Sequence, residues 1–233
     1  WQAWFKTTFL PIGFPRSVKP EYFEYQFFDS IQALCSYLRG VMCTQALLTG
    51  AGVGSATATA FAAAIQWIVR DGIGMMSSVV FAVKFSSYFG DYVKEWRLFA
   101  DVINDVGLTL DMFSAVAPTY LYLPILCASA SCKAACGVSA GSTKVCITNY
   151  FCLSNNVADV ATKENTQETA VTLVGLLFGM VFTSIFQNNS SFVWVSFVVL
   201  TLLHVYCNYR AISCLKLNSI NRSRCWFLAK QFL

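Results

Sequence analysis

The stretch that decides the fold runs from Asn155 to Phe186, reading NNVADVATKENTQET over residues 155–169 and AVTLVGLLFGMVFTSIF over residues 170–186. The first part carries acidic, basic and amide side chains, whereas the second part carries no charge. As a helix the second part would reach about 26 Å, close to the roughly 30 Å hydrocarbon core of a bilayer. Because ionised groups at a membrane are costly unless paired, this junction predicts a membrane helix whose polar end has a function.

The overall composition also favours a membrane protein. The chain is 56% hydrophobic and 12% charged, with a mean hydropathy of +0.55, whereas a soluble domain is about 25% charged. We therefore expect an integral membrane protein in contact with lipid, in an organelle that the sequence does not specify. The chain lacks the exposed basic and polar faces that read nucleic acid, so nucleic acid is not an expected partner.

Three regions divide the chain. Residues 1–28 are a proline- and aromatic-rich lead-in, interpreted either as a segment at the membrane interface or as a plain surface loop. Residues 29–217 are predicted to form an all-α domain, with roughly five to seven membrane-embedded helices. Residues 218–233 are a basic tail suited to anionic lipid on the cytoplasmic side.

Glycines at helical spacing predict close helix packing, because small residues let helices approach each other in lipid. These are Gly50 and Gly54, Gly137 and Gly141, and Gly175 and Gly179. Pro118 and Pro124 predict a kinked or discontinuous helix. Asn165 and Glu168 have the spacing of a helix cap, which would start a helix at Thr166.

The two halves of the chain share an order of features, which predicts a two-fold internal pseudo-repeat. Small residues precede Arg70-Asp71-Gly72 and an apolar helix in the first half, and small residues precede Lys163-Glu164-Asn165 and an apolar helix in the second. Repeats with an odd number of helices insert in opposite orientations and enclose a midplane site in many secondary transporters.

Polar residues at helical spacing are the candidate binding groups. Those between residues 97 and 111 fall near one helix face, which is either a solvated surface or the lining of an intramembrane cavity. His204 is either a packing residue or a proton-coupling group. The predicted ligand-binding residues are Asp101, Asn104, Asp105, Asn156, Asp159, Lys163, Glu164, His204 and Asn208. The predicted gating or structural residues are Arg70, Asp71, Gly72, Arg97 and Arg210.

The sequence contains no motif typical of an enzyme, a phosphate-binding loop or a paired-cysteine redox centre. We therefore expect no catalytic residues and no cofactor. Ten cysteines and one histidine are present, but the cysteines lie mostly in apolar runs, where they act as small hydrophobic residues. A zinc site needs four ligands, so we expect no metal.

The chain resembles the root UV-B sensitive (RUS) family over nearly its whole length. The matching blocks are YQFFDSIQALCSYLRG (25–40), TQALLTGAGVGSATATA (44–60), WIVRDGIGM (67–75), KEWRLFADVINDVGLTLD (94–111), NNVADVATKENTQET (155–169) and HVYCNYRAI (204–212). The resemblance implies an α-helical membrane domain found in plants, animals and protists. It associates plant members with plastids, UV-B responses, seedling development and vitamin B6 balance, and it attaches no biochemical activity.

Two functional hypotheses follow. In the first, the polar stripes line a cavity that binds or transports a small polar or ionic solute. In the second, the protein is a membrane scaffold or signalling protein, whose polar segment binds a family member or another protein. Ligand-dependent stabilisation that depends on the polar stripes would favour the first hypothesis.

Overall fold

The computed structural model describes residues 2–52, 60–186, 189–217 and 222–232. Within these ranges the chain is all-α, as predicted, and no strand is present. The helices are α1 (Gln2–Phe9), α2 (Tyr22–Gly50), α3 (Ala60–Phe85), α4 (Val93–Ser114), α5 (Thr119–Phe151), α6 (Val157–Phe186), α7 (Ser190–Cys214) and α8 (Arg222–Phe232).

Three of the described helices, α5, α6 and α7, are long and apolar enough to cross a membrane. Their outward faces carry apolar side chains that are more than half exposed, among them Phe178, Val181, Val195 and Leu202. Helices α2 and α3 have 29 and 26 residues, but internal charges such as Arg39 and Arg70 lower their hydropathy. Length and hydropathy therefore identify three spans, against the five to seven embedded helices expected.

The six long helices alternate in direction, and α3 runs against α4, since Phe85 contacts Trp96 while Phe81 contacts Phe99. Helices α2 and α4 run the same way, since Asp29 contacts Arg97 and Cys43 contacts Leu108. Helix α7 runs against α2, since Thr201 contacts Arg39 while Arg210 contacts Glu24. Helix α6 runs parallel to α2, since Glu164 contacts Gln26 and Gly175 lies against Tyr37. Helix α5 runs antiparallel to α6, since Lys144 contacts Glu168 and Thr148 contacts Glu164. It is therefore also antiparallel to α2 and α4, which it contacts through Tyr122 and Ser129.

This arrangement agrees with the predicted two-fold pseudo-repeat. The four most extensive helix pairings among the described residues are α4 with α5, α2 with α7, α3 with α5, and α2 with α6. If α2, α3 and α4 are exchanged in order with α5, α6 and α7, the pairing of α4 with α5 becomes that of α7 with α2. The pairing of α3 with α5 becomes that of α6 with α2. The two triplets also run in opposite senses, as repeats of three helices do.

Glycines of α6 form the close contacts that their spacing predicts. An ideal Cβ on Gly175 would lie 2.8 Å from the Tyr37 ring of α2, and one on Gly179 would lie 3.0 Å from Val41. Gly137 and Gly141 have no atom within 4 Å of such a Cβ. They therefore do not mediate packing, and Gly54 lies outside the described residues.

The helix start predicted at Thr166 was wrong, and of the kinked or discontinuous helix predicted at Pro118 and Pro124, the discontinuity is excluded. Helix α6 begins at Val157 and not at Thr166, so Asn165 lies inside the helix; its amide oxygen accepts a hydrogen bond from Lys144 of α5 at 3.3 Å. Helix α5 is continuous through Pro124, and Pro118 is its N-cap residue. A proline near the start of a helix disturbs few backbone hydrogen bonds, so the chain is not interrupted there.

Candidate functional site

A cavity of about 760 Å³ lies between the helices. Helices α2, α4, α5 and α6 provide most of its wall, with Trp67 and Arg70 from α3 and His204 from α7. Its lining includes five acidic and four basic residues, together with amide and hydroxyl side chains. The charged lining residues are Asp29, Arg70, Arg97, Asp101, Asp111, Lys133, Lys144, Glu164 and Glu168.

Arg97 lies between two carboxylates in this wall. Its Nη2 donates to Asp29 Oδ1 of α2 at 3.1 Å, and its Nε lies 3.5 Å from Asp101 Oδ2 of α4. Arg97 and Asp101 are four residues apart and therefore share one face of α4. The parallel course of α2 brings Asp29 to the same level.

A second charged cluster reaches the wall at His204 and joins three helices. Arg39 of α2 is fully buried, and its Nη1 donates to Asp105 Oδ1 of α4 at 2.6 Å and to Thr201 Oγ1 of α7 at 3.2 Å. His204 Nδ1 of α7 lies 3.1 Å from Asp105 Oδ2. Asp105 therefore holds both an arginine and a histidine in an interior where an unpaired charge is costly.

Further along the cavity, Lys133 of α5 forms a hydrogen-bonded ion pair with Asp111 Oδ2 of α4. Asp111 is 1% exposed, and its other carboxylate oxygen, Oδ1, has no hydrogen-bond partner. Lys133 lies in the middle of a helix that is apolar enough to span a membrane. A lysine at that position is expensive in lipid, so its partner and its access to the cavity matter for stability.

The polar end of α6 closes the cavity against α5. Glu164 accepts hydrogen bonds from Thr148 at 2.7 Å and from Gln26 at 3.0 Å. Lys144 and Glu168 pair at 2.8 Å, although both are partly exposed. These contacts hold the start of α6 against α2 and α5.

Three other polar residues at the start of α6 bind the lead-in and do not line the cavity: Asn156, just before the helix, and Asp159 and Lys163 within it. Asp159 Oδ2 accepts a hydrogen bond from the backbone N–H of Ile12 at 2.7 Å. Lys163 donates to the carbonyl of Thr7 at 2.5 Å, and Asn156 donates to the carbonyl of Ser17 at 3.3 Å. The lead-in, whose first part is helix α1, is thus attached along the polar half of α6.

The other predicted site residues have separate positions. Asn104 donates to Ser36 at 3.4 Å, and Asn208 is buried but does not line the cavity. Asp71 and Gly72 are exposed on α3. Arg210 pairs with Glu24 at 3.3 Å and lies over the Phe28 ring. Of the predicted site residues, the lining set is Arg70, Arg97, Asp101, Glu164 and His204.

Sequence reasoning missed three of the charged groups that complete these clusters. The local pattern presents Arg39 only as an interruption of a helical run and Asp29 only as a residue that opens that run, and it gives Lys133 no role among its small neighbours. The signal that could have identified Arg39 and Lys133 is a lone cation inside an apolar helix, which requires a carboxylate partner in lipid.

At the end of the bundle where α2 begins, an ion pair joins half-buried Glu21 to exposed Lys216, with 2.9 Å between Oε1 and Nζ. The hydrogen bond from the Lys216 ammonium lowers the pKa of Glu21, and the same bond raises the pKa of Lys216.

Among the described residues, no group of three or more side chains is arranged to bind a metal ion.

Comparison with known proteins places the chain in a family. A family model described as the vitamin B6 photo-protection and homoeostasis domain matches residues 1–233. RUS family member 1 of Dictyostelium discoideum is 43% identical over 227 residues, which cover 97% of this chain and 43% of that protein. Protein root UVB sensitive 3 of Arabidopsis thaliana is 38% identical over 225 residues, which cover 97% and 51%.

A more distant relative is protein root UVB sensitive 2, chloroplastic, of Arabidopsis thaliana, which is 27% identical over 229 residues. These residues cover 98% of this chain and 52% of that protein. The chain spans about half the length of the curated relatives it matches. No solved structure is significantly similar to it. Because the family model matches the whole chain and two relatives share 43% and 38% of its residues, the chain belongs to the root UVB sensitive (RUS) family.

Proposed function

We propose that this chain is the membrane-embedded part of a protein that binds, and transports, a small polar or ionic solute in the cavity between α2, α4, α5 and α6. The observation that carries the proposal is the concentration of charge. The chain has sixteen basic and twelve acidic residues, and nine of them line this one cavity. Ionisable groups that face a cavity inside a membrane bundle commonly mark a solute or ion pathway.

The size and the helix order support the same proposal. A volume of about 760 Å³ lies within the range of roughly 300–1,000 Å³ that holds small-molecule ligands. Two oppositely oriented helix triplets around a central site are the arrangement of many secondary transporters. The family description names vitamin B6, and its vitamers are small polar molecules, so they belong among the solutes to be tested.

The alternative, a scaffold that binds a protein partner through the polar segment of α6, has less support. Asn156, Asp159 and Lys163 already bond to the backbone of the lead-in. A partner would have to displace that segment before reaching them.

The test is a ligand screen on the purified protein in detergent, followed by solute flux in liposomes. A solute of the cavity should raise the unfolding temperature of the wild type, and Glu164→Gln should reduce that shift. Lys163→Ala is the matched control, because Lys163 lies on the same helix one position away and does not line the cavity. The proposal fails if no solute stabilises the protein, or if both variants respond alike.

A further inference from the structure

The hydrogen-bonding character of the cavity wall identifies the class of solute more closely. Several lining side chains carry buried atoms without a hydrogen-bond partner, and most of these atoms are acceptors. They are Gln32 Oε1, Asp101 Oδ2, Asp111 Oδ1 and Gln167 Oε1, whereas the single donor of this kind in the described part of the wall is Arg70 Nε. Buried acceptors without partners are costly, so the wall has a deficit of donors.

The formal charges of the cavity wall support the same conclusion as its hydrogen-bond acceptors. Five acidic residues face four basic residues in the wall, although the whole chain carries a net charge of +4. Arg97 serves both Asp29 and Asp101, and the carboxylate that pairs with Arg70 is Asp71, which is outside the wall, at 3.8 Å. The formal charge of the wall is therefore negative.

Two of the free acceptors lie at the same level of the cavity. Helices α2 and α4 touch at Asp29 with Arg97, and again at Ser36 with Asn104. Gln32 and Asp101 fall between these two contacts on their helices, and are 4% and 8% exposed. A carboxylate oxygen, which lies 3.5 Å from Arg97 Nε but accepts no hydrogen bond, and an amide oxygen without a partner thus lie at the same level of the cavity.

We infer that the solute carries a protonated amino group, which donates hydrogen bonds to Asp101 Oδ2 and Gln32 Oε1. This inference rests on the proposed function and deepens it. An organic cation suits the site better than a bare metal ion, because the cavity is far larger than an ion and the described residues hold no metal-ligand cluster. Tyr37 and Trp67 also line the cavity, and aromatic faces attract organic cations.

The inference is tested with four matched small solutes that differ in charge: aminobutanol as the cation, aminobutyrate as the zwitterion, hydroxybutyrate as the anion and butanediol as the neutral member. Binding to the purified protein is measured by calorimetry. We expect aminobutanol to bind about tenfold more tightly than butanediol, the ratio that one additional charge-assisted hydrogen bond supplies. Hydroxybutyrate should bind most weakly.

Two variants locate the amino group. Asp101→Asn should abolish the preference for the amine, and Gln32→Glu should increase it, because a second carboxylate replaces a neutral acceptor. Glu95→Gln is the control, since Glu95 is an exposed carboxylate of the same helix that does not line the cavity. If Asp101→Asn does not fold, Gln32→Glu alone decides.

Equal binding of the neutral or anionic member overturns the amine assignment, and so does an unchanged preference in Gln32→Glu. Either result leaves the proposed solute cavity intact. Failure of the four solutes and of the wider screen to bind would overturn both proposals.

Discussion

Helices α4 and α6 carry similar stripes of charge, but the two stripes have different environments. On α4, Arg97 and Asp105 pair with side chains of α2 and α7, and Asp101 pairs with Arg97 of the same helix. On α6, Asp159 and Lys163 turn away from the cavity, and their partners are backbone groups of the lead-in. Spacing therefore predicts that charges share a face, but the fold of distant segments decides what that face contacts.

The largest effect should come from the charges behind the α4 stripe. Arg39→Ala would leave Asp105 buried without its closest cation, so the free energy of unfolding should fall by about 3–5 kcal/mol. Denaturant unfolding in detergent measures this loss. Lys163→Ala on α6 should cost less than about 1 kcal/mol, because an exposed hydrogen bond contributes little. Equal losses in the two variants would contradict the contrast between the stripes.

Replacing a glycine in the apolar half of α6 should destabilise the protein, because these glycines pack closely against α2. Gly175→Ala places a Cβ 2.8 Å from the Tyr37 ring, and such overpacking costs about 1–3 kcal/mol. Gly137→Ala on α5 is the matched control, because its Cβ meets no atom within 4 Å and alanine favours helix by about 1 kcal/mol. Thermal unfolding should move in opposite directions for the two variants.

A smaller and more local effect is expected where α6 holds the lead-in. Asp159→Ala removes the acceptor of the Ile12 N–H, which should cost about 0.5–1.5 kcal/mol. Hydrogen exchange should accelerate around Ile12 while the cavity helices remain protected. Asp91→Ala is the control, because Asp91 is exposed and lies just before the start of α4, away from the lead-in contacts. Equal acceleration in both variants would exclude Asp159 as the anchor.

The smallest effect is the pH dependence of the ion pair between half-buried Glu21 and exposed Lys216. The pKa of Glu21 is lowered from its ordinary 4.5, so the stability from this pair is present above that value and is lost as pH falls through the lowered pKa. The pKa of Lys216 is raised from 10.5, so the same stability is lost only as pH rises through the raised value. Lys216→Met should flatten the acid limb of the stability curve, and an unchanged limb would contradict the assignment.

The sequence was sufficient to predict the features that depend on local pattern. It identified the family, the all-α class and the close approach of Gly175 and Gly179, because hydrophobicity, motif blocks and small-residue spacing are visible along one segment. It also located Arg97 and Asp101 on one face of α4. The predicted start of α6 was wrong, because the cap pattern of Asn165 and Glu168 takes no account of Lys144, which bonds to both residues from α5.

The full set of residues around the cavity and in the buried cluster of Arg39 could not be predicted, because it depends on which helices become neighbours. Asp29 and Arg97 are 68 positions apart, and Arg39 meets Thr201 across 162 positions. No local periodicity connects such residues. Asn156 and Asp159 share the composition of cavity-lining residues, yet a segment more than a hundred residues earlier covers them.

The opposite orientation of the two helix triplets bears on how the cavity could open to the two sides of a membrane. If each triplet adopted the conformation that the other now has, equivalent helix surfaces in inverted orientation would form the wall of the cavity. An opening of the cavity at one membrane face would then become an opening at the opposite face, while the cavity itself stayed between the same helices. Under the proposed transport function, this symmetry would therefore let the cavity open in turn to the two faces of the membrane.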